Sequence, residues 1–221
     1  MAPIDQAVQD YFRAVAAEVL AHLSGRPAVC LGADGVMDAP VPRSAPDLLR
    51  VVAGGVLGFA AAWPDRVALQ LVPGAGADIA TAATAALALA EQLASDGLRP
   101  VPLTDGTGGL LLMARTVGDR AAAAARYAAV LTGSAPELAT ADPEQADGRS
   151  LVIVPDPADP LPVPYSLIGT PQGPQPVTPL HLDEIAAITA GMPADITADD
   201  VPHRIAQRGD LAAALLGGPA T

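Results

Sequence analysis

The sequence predicts an α/β or α+β domain, and two observations carry that assignment. Segments with apolar residues at helical spacing alternate along the chain with short apolar runs bounded by glycine and proline. Hydrophobic residues make up 51% of the 221, enough to bury a substantial core in one large domain or two small lobes. Only 3% are aromatic, so alanine, leucine and valine must supply most of that core.

The elements follow in order. Ile4 to Leu23 has apolar residues at Ile4, Val8, Tyr11, Phe12, Val15, Val19, Leu20 and Leu23, the spacing of an amphipathic helix, and Gly25 stops it. Pro27 to Leu31 reads as a short buried strand. Gly32 to Pro46 is rich in Pro, Asp and Gly and reads as a loop. Asp47 is positioned to cap a helix from Leu48 to Ala62. Arg66 to Val72 is a predicted strand, which Pro73-Gly-Ala-Gly76 turns into a helix from Asp78 to Ser95. Strands are expected at Pro100–Leu103 and Leu110–Ala114, joined by a glycine-rich turn at 105–109, and a helix at Val117–Leu131. The alanine-rich runs at 80–94 and 121–129 suit helices. Thr132 to Gly148 reads as acidic loop and Leu151 to Val154 as strand. The prolines of Asp156 to Gln175 exclude regular helix there. Helices at His181–Ala190 and Ala198–Leu216 complete the chain, and no internal repeat is visible.

Charge narrows the function. All twelve basic residues are arginine, and the formal net charge is −12. A broad cationic face is the electrostatic footprint of a nucleic-acid binder, and this composition cannot supply one, although a small arginine patch is compatible with it. Cys30 is the only cysteine, which excludes an internal disulfide and a cysteine-based zinc site. His22, His181 and His203 lie far apart in sequence. The N-terminus has no basic segment followed by an apolar core. The longest apolar stretch, about Val51 to Trp63, is broken by glycines and too short to span a bilayer. A soluble, cytoplasmic protein with no membrane association is expected.

Three signatures are more specific together than singly: Val-Pro-Tyr-Ser-Leu at 163–167, Val-Thr-Pro-Leu-His-Leu-Asp-Glu-Ile at 177–185 and Arg-Ile-Ala-Gln-Arg-Gly-Asp-Leu at 204–211. In this order and spacing they resemble the end of the polymerase domain of bacterial ligase D, in the archaeo-eukaryotic primase superfamily. Tyr11-Phe12-Arg13 and His22-Leu-Ser-Gly-Arg-Pro27 resemble that family's opening helix and following strand, so the resemblance covers about residues 8 to 216. It implies one primase-polymerase-like domain over 1–221. Its fold would be a central mixed sheet with flanking helices, with an N-terminal lobe of about 1–63 and a core lobe of about 64–216 around a cleft.

The resemblance also implies where chemistry would sit. Before its Pro-Gly the family carries Asp-Leu-Asp, whose two acids hold metal ions that activate a 3′ hydroxyl and stabilise a triphosphate. Here that segment reads Gln70-Leu71-Val72. Gln70 can offer a neutral oxygen and Val72 nothing, whereas Mg²⁺ requires hard, preferably anionic ligands. A third family aspartate corresponds to Ile153, Val154 or Pro155, and the nearest acid is Asp156. In the family a Lys-Thr-Ser-Gly-Gly-Lys-Gly-Leu-His-Val segment grips phosphates. Here Asp105 replaces its serine, Gly108 its second lysine and Leu111 its histidine, while Gly106 and Gly109 remain. Such a turn can still present backbone N–H groups to an anion, but Asp105 would repel one. The lysine- and aromatic-bearing insertion that binds DNA ends is reduced to Gly32–Asp47, leaving Arg26, Arg43 and Arg50 as a possible small patch.

The retained residues are those of the scaffold, and the replaced ones are those of the metal, triphosphate and DNA sites. The expectation is therefore a catalytically inactive polymerase-like protein acting as a scaffold, subunit or regulator. It would have a protein partner or self-association, weak or no nucleic-acid binding and no metal cofactor. One alternative is a working nucleotidyltransferase, a DNA polymerase or primase in non-homologous end-joining repair, using Mg²⁺ or Mn²⁺ with acids such as Asp105 and Asp156. The other is a cleft repurposed for a small, cationic molecule. Val72 and Leu111 make the former metal wall aliphatic, and apolar surface left in water is unfavourable by about 25 cal/mol per Å². Self-closure of that wall ranks first, cover by a partner second and an apolar ligand third. Self-closure requires both side chains to be nearly fully buried and in contact.

Overall fold

A computed structural model of the chain describes residues 5–216. In chain order the elements are α1 (Gln6–Ala14), α2 (Ala16–Leu23), β1 (Ala28–Gly32), β2 (Gly35–Met37), α3 (Ala45–Ala53), β3 (Gly58–Ala61), β4 (Arg66–Pro73), α4 (Ile79–Ser95), β5 (Val101–Thr104), β6 (Leu110–Arg115), α5 (Arg120–Ser134), β7 (Ala139–Thr140), β8 (Ser150–Ile153), β9 (Leu161–Pro162), β10 (Leu167–Thr170), β11 (Gly173–Pro176), α6 (Leu182–Thr189) and α7 (Asp200–Arg208). They form two compact units. The first takes the chain up to Trp63 with Ala158–Thr178 and Ile196–Asp210. The second takes Pro64–Pro157, Pro179–Asp195 and the chain from Leu211 on. After Trp63 the chain returns twice to the first unit.

In the first unit β2-β1-β3-β9 form an antiparallel sheet, β10 and β11 form a hairpin, and α1 packs with α2 and α3. In the second, the sheet order is β5-β6-β4-β8-β7. Its pairs are antiparallel except β7 with β8, so the sheet is mixed. Helices α4 and α5 pack on this sheet and α6 packs on α4. The buried side of α4 is mostly alanine (Ala82, Ala83, Ala85, Ala86, Ala90) with Leu89 and Leu93. Small side chains let a helix axis lie close to its neighbours, which is how a core with so few aromatic residues fills.

Several sequence expectations need correction. The first helix breaks at Val15 (φ −106°, ψ 13°), which keeps its N–H bond to Tyr11 O while its side chain stays buried. Ile4 lies outside the described residues. The expected helix 48–62 is two elements. It is capped by Ser44, not Asp47, and Gly54 ends it; strand β3 begins at Gly58. All four β3 residues are buried, so their continuous apolar run carries no periodicity to tell strand from helix. Gly32–Pro46 contains β2, and the proline-dense stretch contains β9, β10 and β11. The helix before Leu131 starts at Arg120, where the Asp119 carboxylate accepts from the N–H groups of Ala121 and Ala122. The last helix stops at Arg208 because Gly209 takes φ +71°.

Candidate functional site

Strand β4 places Gln70 and Val72 on one face, two residues apart. Across the ladder, Leu111 of β6 and Ile153 of β8 both lie opposite Gln70, and Leu151 lies opposite Val72. Leu103 of β5 in turn pairs with Leu111. This face is therefore aliphatic except for Gln70. Its alternates, Leu69 and Leu71, are completely buried.

Among the described residues the carboxylate beside Gln70 is that of Asp105, at the start of the turn between β5 and β6 and only 5% exposed. Its Oδ2 accepts from Gln70 Nε2 at 2.9 Å. Its Oδ1 accepts from the backbone N–H groups of Thr107 (2.7 Å) and Gly109 (2.9 Å). Asp105 N–H closes the turn onto Gly109 O at 3.1 Å. Gly106 and Gly108 have positive φ (76° and 100°), which lets the chain curl its N–H groups inward. A Cβ on Gly109 would lie 2.6 Å from Asp105 Oδ2 and 2.8 Å from Leu71 O, so only glycine fits. The turn is a nest of the kind that holds anions, but its anion is its own side chain. Asp105 itself takes up the Thr107 and Gly109 donors.

The burial expected for a self-closed wall holds only at Leu111, which is 3% exposed; Val72 is half-buried and Ile153 is 37% exposed. The reason is register. Val72 sits one pair further along β4, opposite Leu151, where β6 has no partner left for it. Asp156 lies beyond the end of β8 and is exposed. Asp65 pairs with Arg66, a buried guanidinium that also donates to Leu215 O. Asp78 caps α4 through Thr81 N–H at 3.0 Å. These residues do not fit a catalytic divalent metal. Among the described residues, the acid beside Gln70 already accepts three N–H bonds, and no three His, Cys, Asp or Glu side chains group to hold an ion. Arg26 and Arg43 line one cavity in the first unit, while Arg50 bonds to Asp47 at 2.7 Å.

A second polar network, in the first unit, was not visible as such in the sequence. His22, completely buried on α2, bonds through Nε2 to Asp210 Oδ2 at 3.0 Å, and Tyr165 Oη donates to Asp210 Oδ1 at 2.8 Å. Tyr165 is itself in the left-handed region at φ +67°, held there while Tyr11 Oη donates to its carbonyl at 2.8 Å. Burial pushes the Tyr11 hydroxyl far above the usual tyrosine range, so it stays a donor. Next door, Ser166 Oγ accepts from Phe59 N–H at 3.1 Å. The signal for this network was the presence of Tyr165 and Asp210 in two of the three C-terminal signatures and of His22 in the segment 22–27.

Residues 49–212 match the family described as LigD, primase-polymerase domain. The chain belongs to that family. Among solved structures, it resembles the polymerase domain of Mycobacterium tuberculosis ligase D, determined in complex with DNA. The TM-score is 0.82 and the sequence identity 24%, over 94% of this chain and 90% of that one. The fold is thus that of a primase-polymerase domain, whose family is of nucleotidyltransferase type. No curated protein matches the chain. Among the described residues no helix is long and apolar enough to cross a membrane.

Proposed function

We propose that this chain is a catalytically inactive member of its family that acts through protein contacts, as a scaffold, subunit or regulator. The observation that carries this reading is the Gln70–Asp105 bond. One position has lost a carboxylate and the other has gained one, and the two side chains satisfy each other. A decaying site leaves buried polar groups unpaired; here both carboxylate oxygens of the buried Asp105 are bonded. Supporting it, Val72, Leu151 and Ile153 give the same face of β4 and β8 an incompletely buried aliphatic surface, suited to a protein partner or a second copy of the chain. Net charge −12 with no lysine argues against tight DNA binding.

The test is nucleotide incorporation on a recessed DNA end with Mg²⁺ or Mn²⁺, beside calorimetry of the metal alone. No incorporation and no micromolar Mn²⁺ site are expected. Restoring both acids (Gln70→Asp with Val72→Asp) should leave the protein inactive, because Asp105 still fills the phosphate turn. Metal-dependent incorporation abolished by Asp105→Ala or Asp156→Ala would instead establish a working end-joining polymerase. In fluorescence anisotropy, affinity for the same DNA should fall at or below the weak end of non-specific binding, about 10⁻⁴ M at physiological salt.

A further inference from the structure

Strand β2 is the outer edge of the first unit's sheet, whose order is β2-β1-β3-β9. Its hairpin with β1 is tight: Gly32 pairs with Gly35, and Ala33 and Asp34 make the turn. The register decides which way its backbone faces. Leu31 of β1 pairs with Gly58 of β3, and its carbonyl accepts from Leu57 N–H at 2.7 Å. The backbone groups of Leu31 therefore point to the β3 side. Val36 lies directly opposite Leu31 on β2. In an antiparallel ladder such a pair is the non-hydrogen-bonded kind, so the Val36 N–H and C=O point out of the sheet. Among the described residues nothing bonds to them. The Val36 side chain is 72% exposed.

An open apolar edge is a template for another strand, and flanking charge is a common guard against the wrong one. Here the flanks are Asp34 and Asp38, both exposed, and among the described residues no cation pairs with either. A second copy laid antiparallel on this edge, with Val36 against Val36, would set Asp34 against Asp38; laid parallel, it would set each acid beside its own kind. Like charges across a ladder are destabilising, so the guard disfavours self-pairing and selects the opposite charge. The same carboxylates oppose a phosphate backbone. We propose that the β2 edge receives an extended segment of a partner protein as an added strand, with an apolar residue opposite Val36 and a lysine or arginine two residues to either side, against Asp34 and Asp38. Main-chain bonds to Val36 supply the attachment, and the two carboxylates fix its register and choice of sequence. The inference does not rest on the loss of catalysis, since none of these residues belongs to the β4 or β5–β6 site.

The test is a nuclear magnetic resonance titration of the whole ¹⁵N-labelled chain with three end-blocked peptides, whose cores are Lys-Thr-Val-Thr-Lys, Glu-Thr-Val-Thr-Glu and Lys-Thr-Pro-Thr-Lys. The lysine–valine peptide should shift the amides of Gly35, Val36 and Asp38 along one saturable curve and slow solvent exchange of the Val36 N–H. The glutamate peptide should leave these signals in place. The proline peptide lacks the central N–H donor and should bind about tenfold more weakly. Asp34→Lys with Asp38→Lys, at exposed positions, should reverse the preference in favour of the glutamate peptide. Absence of saturation with the lysine–valine peptide, equal binding of the proline peptide, or an unchanged preference in the charge-reversed variant would overturn the proposal. So would a dimer in analytical ultracentrifugation that Val36→Lys abolishes, which would give the edge to a second copy of the chain.

Discussion

His22, Tyr165 and Asp210 in the first unit and Gln70 and Asp105 in the second are both small polar networks set among apolar side chains. They differ in what they connect. His22 and Asp210 are 188 residues apart, so their bond ties the second helix to the end of the last one. Gln70 and Asp105 are 35 apart and join a strand to the turn beside it. The first network consists of residues that stand in the segments whose sequence resembles the family's. On the proposed reading, the second stands where the family's chemistry would lie. The contrast is between groups that hold distant parts of one unit together and groups that satisfy one another across neighbouring strands.

The comparison can be broken most forcefully on the aliphatic face. Leu111→Asp should destabilise by about 4 kcal/mol, because it buries an unpaired charge. Val72→Asp, at a half-buried position on the same face, should lose about 1 kcal/mol or less. Urea denaturation of the two variants measures the difference, and equal losses would mean that Val72 is core in solution. Next, Asp210→Ala should lose about 3 kcal/mol, since it strands both the His22 ring N–H and the Tyr165 hydroxyl. Asp105→Ala should lose about 2 kcal/mol through the unbonded donors of the turn. A double-mutant cycle with Gln70→Ala should return about 1 kcal/mol of coupling. Zero coupling would remove the argument that the two replacements compensate each other.

The smallest effect is one of pH. The Asp78 carboxyl is held below the usual carboxylate range, first by the Thr81 backbone N–H and then by the Thr81 hydroxyl. A depressed folded-state value means that its stabilisation of α4 is fully present above the unfolded value of about 4 and is lost as pH falls through the folded one. The melting temperatures of the parent and Asp78→Ala should therefore differ at neutral pH and converge in acid.

The sequence by itself determined the alternation of helices and strands, strands at 66–72, 100–103, 110–114 and 151–154 to within a residue of their observed bounds, and the family, because apolar periodicity and ordered motifs are local properties of the chain. It also put Gln70 and Val72, neither of them an acid, on one of those strands. Where the pattern was a continuous apolar run, as at Val56–Ala61, it could not separate helix from strand. Only pairing with β1 and β9 settled that segment. The tertiary structure alone decided that Asp105 points into its own turn, that Gln70 reaches it, and that Val72 lies beyond the end of its partner strand. The last two depend on register, and register is set by which strands pair across the sheet, a relation between residues 35 or more apart that no window of sequence contains.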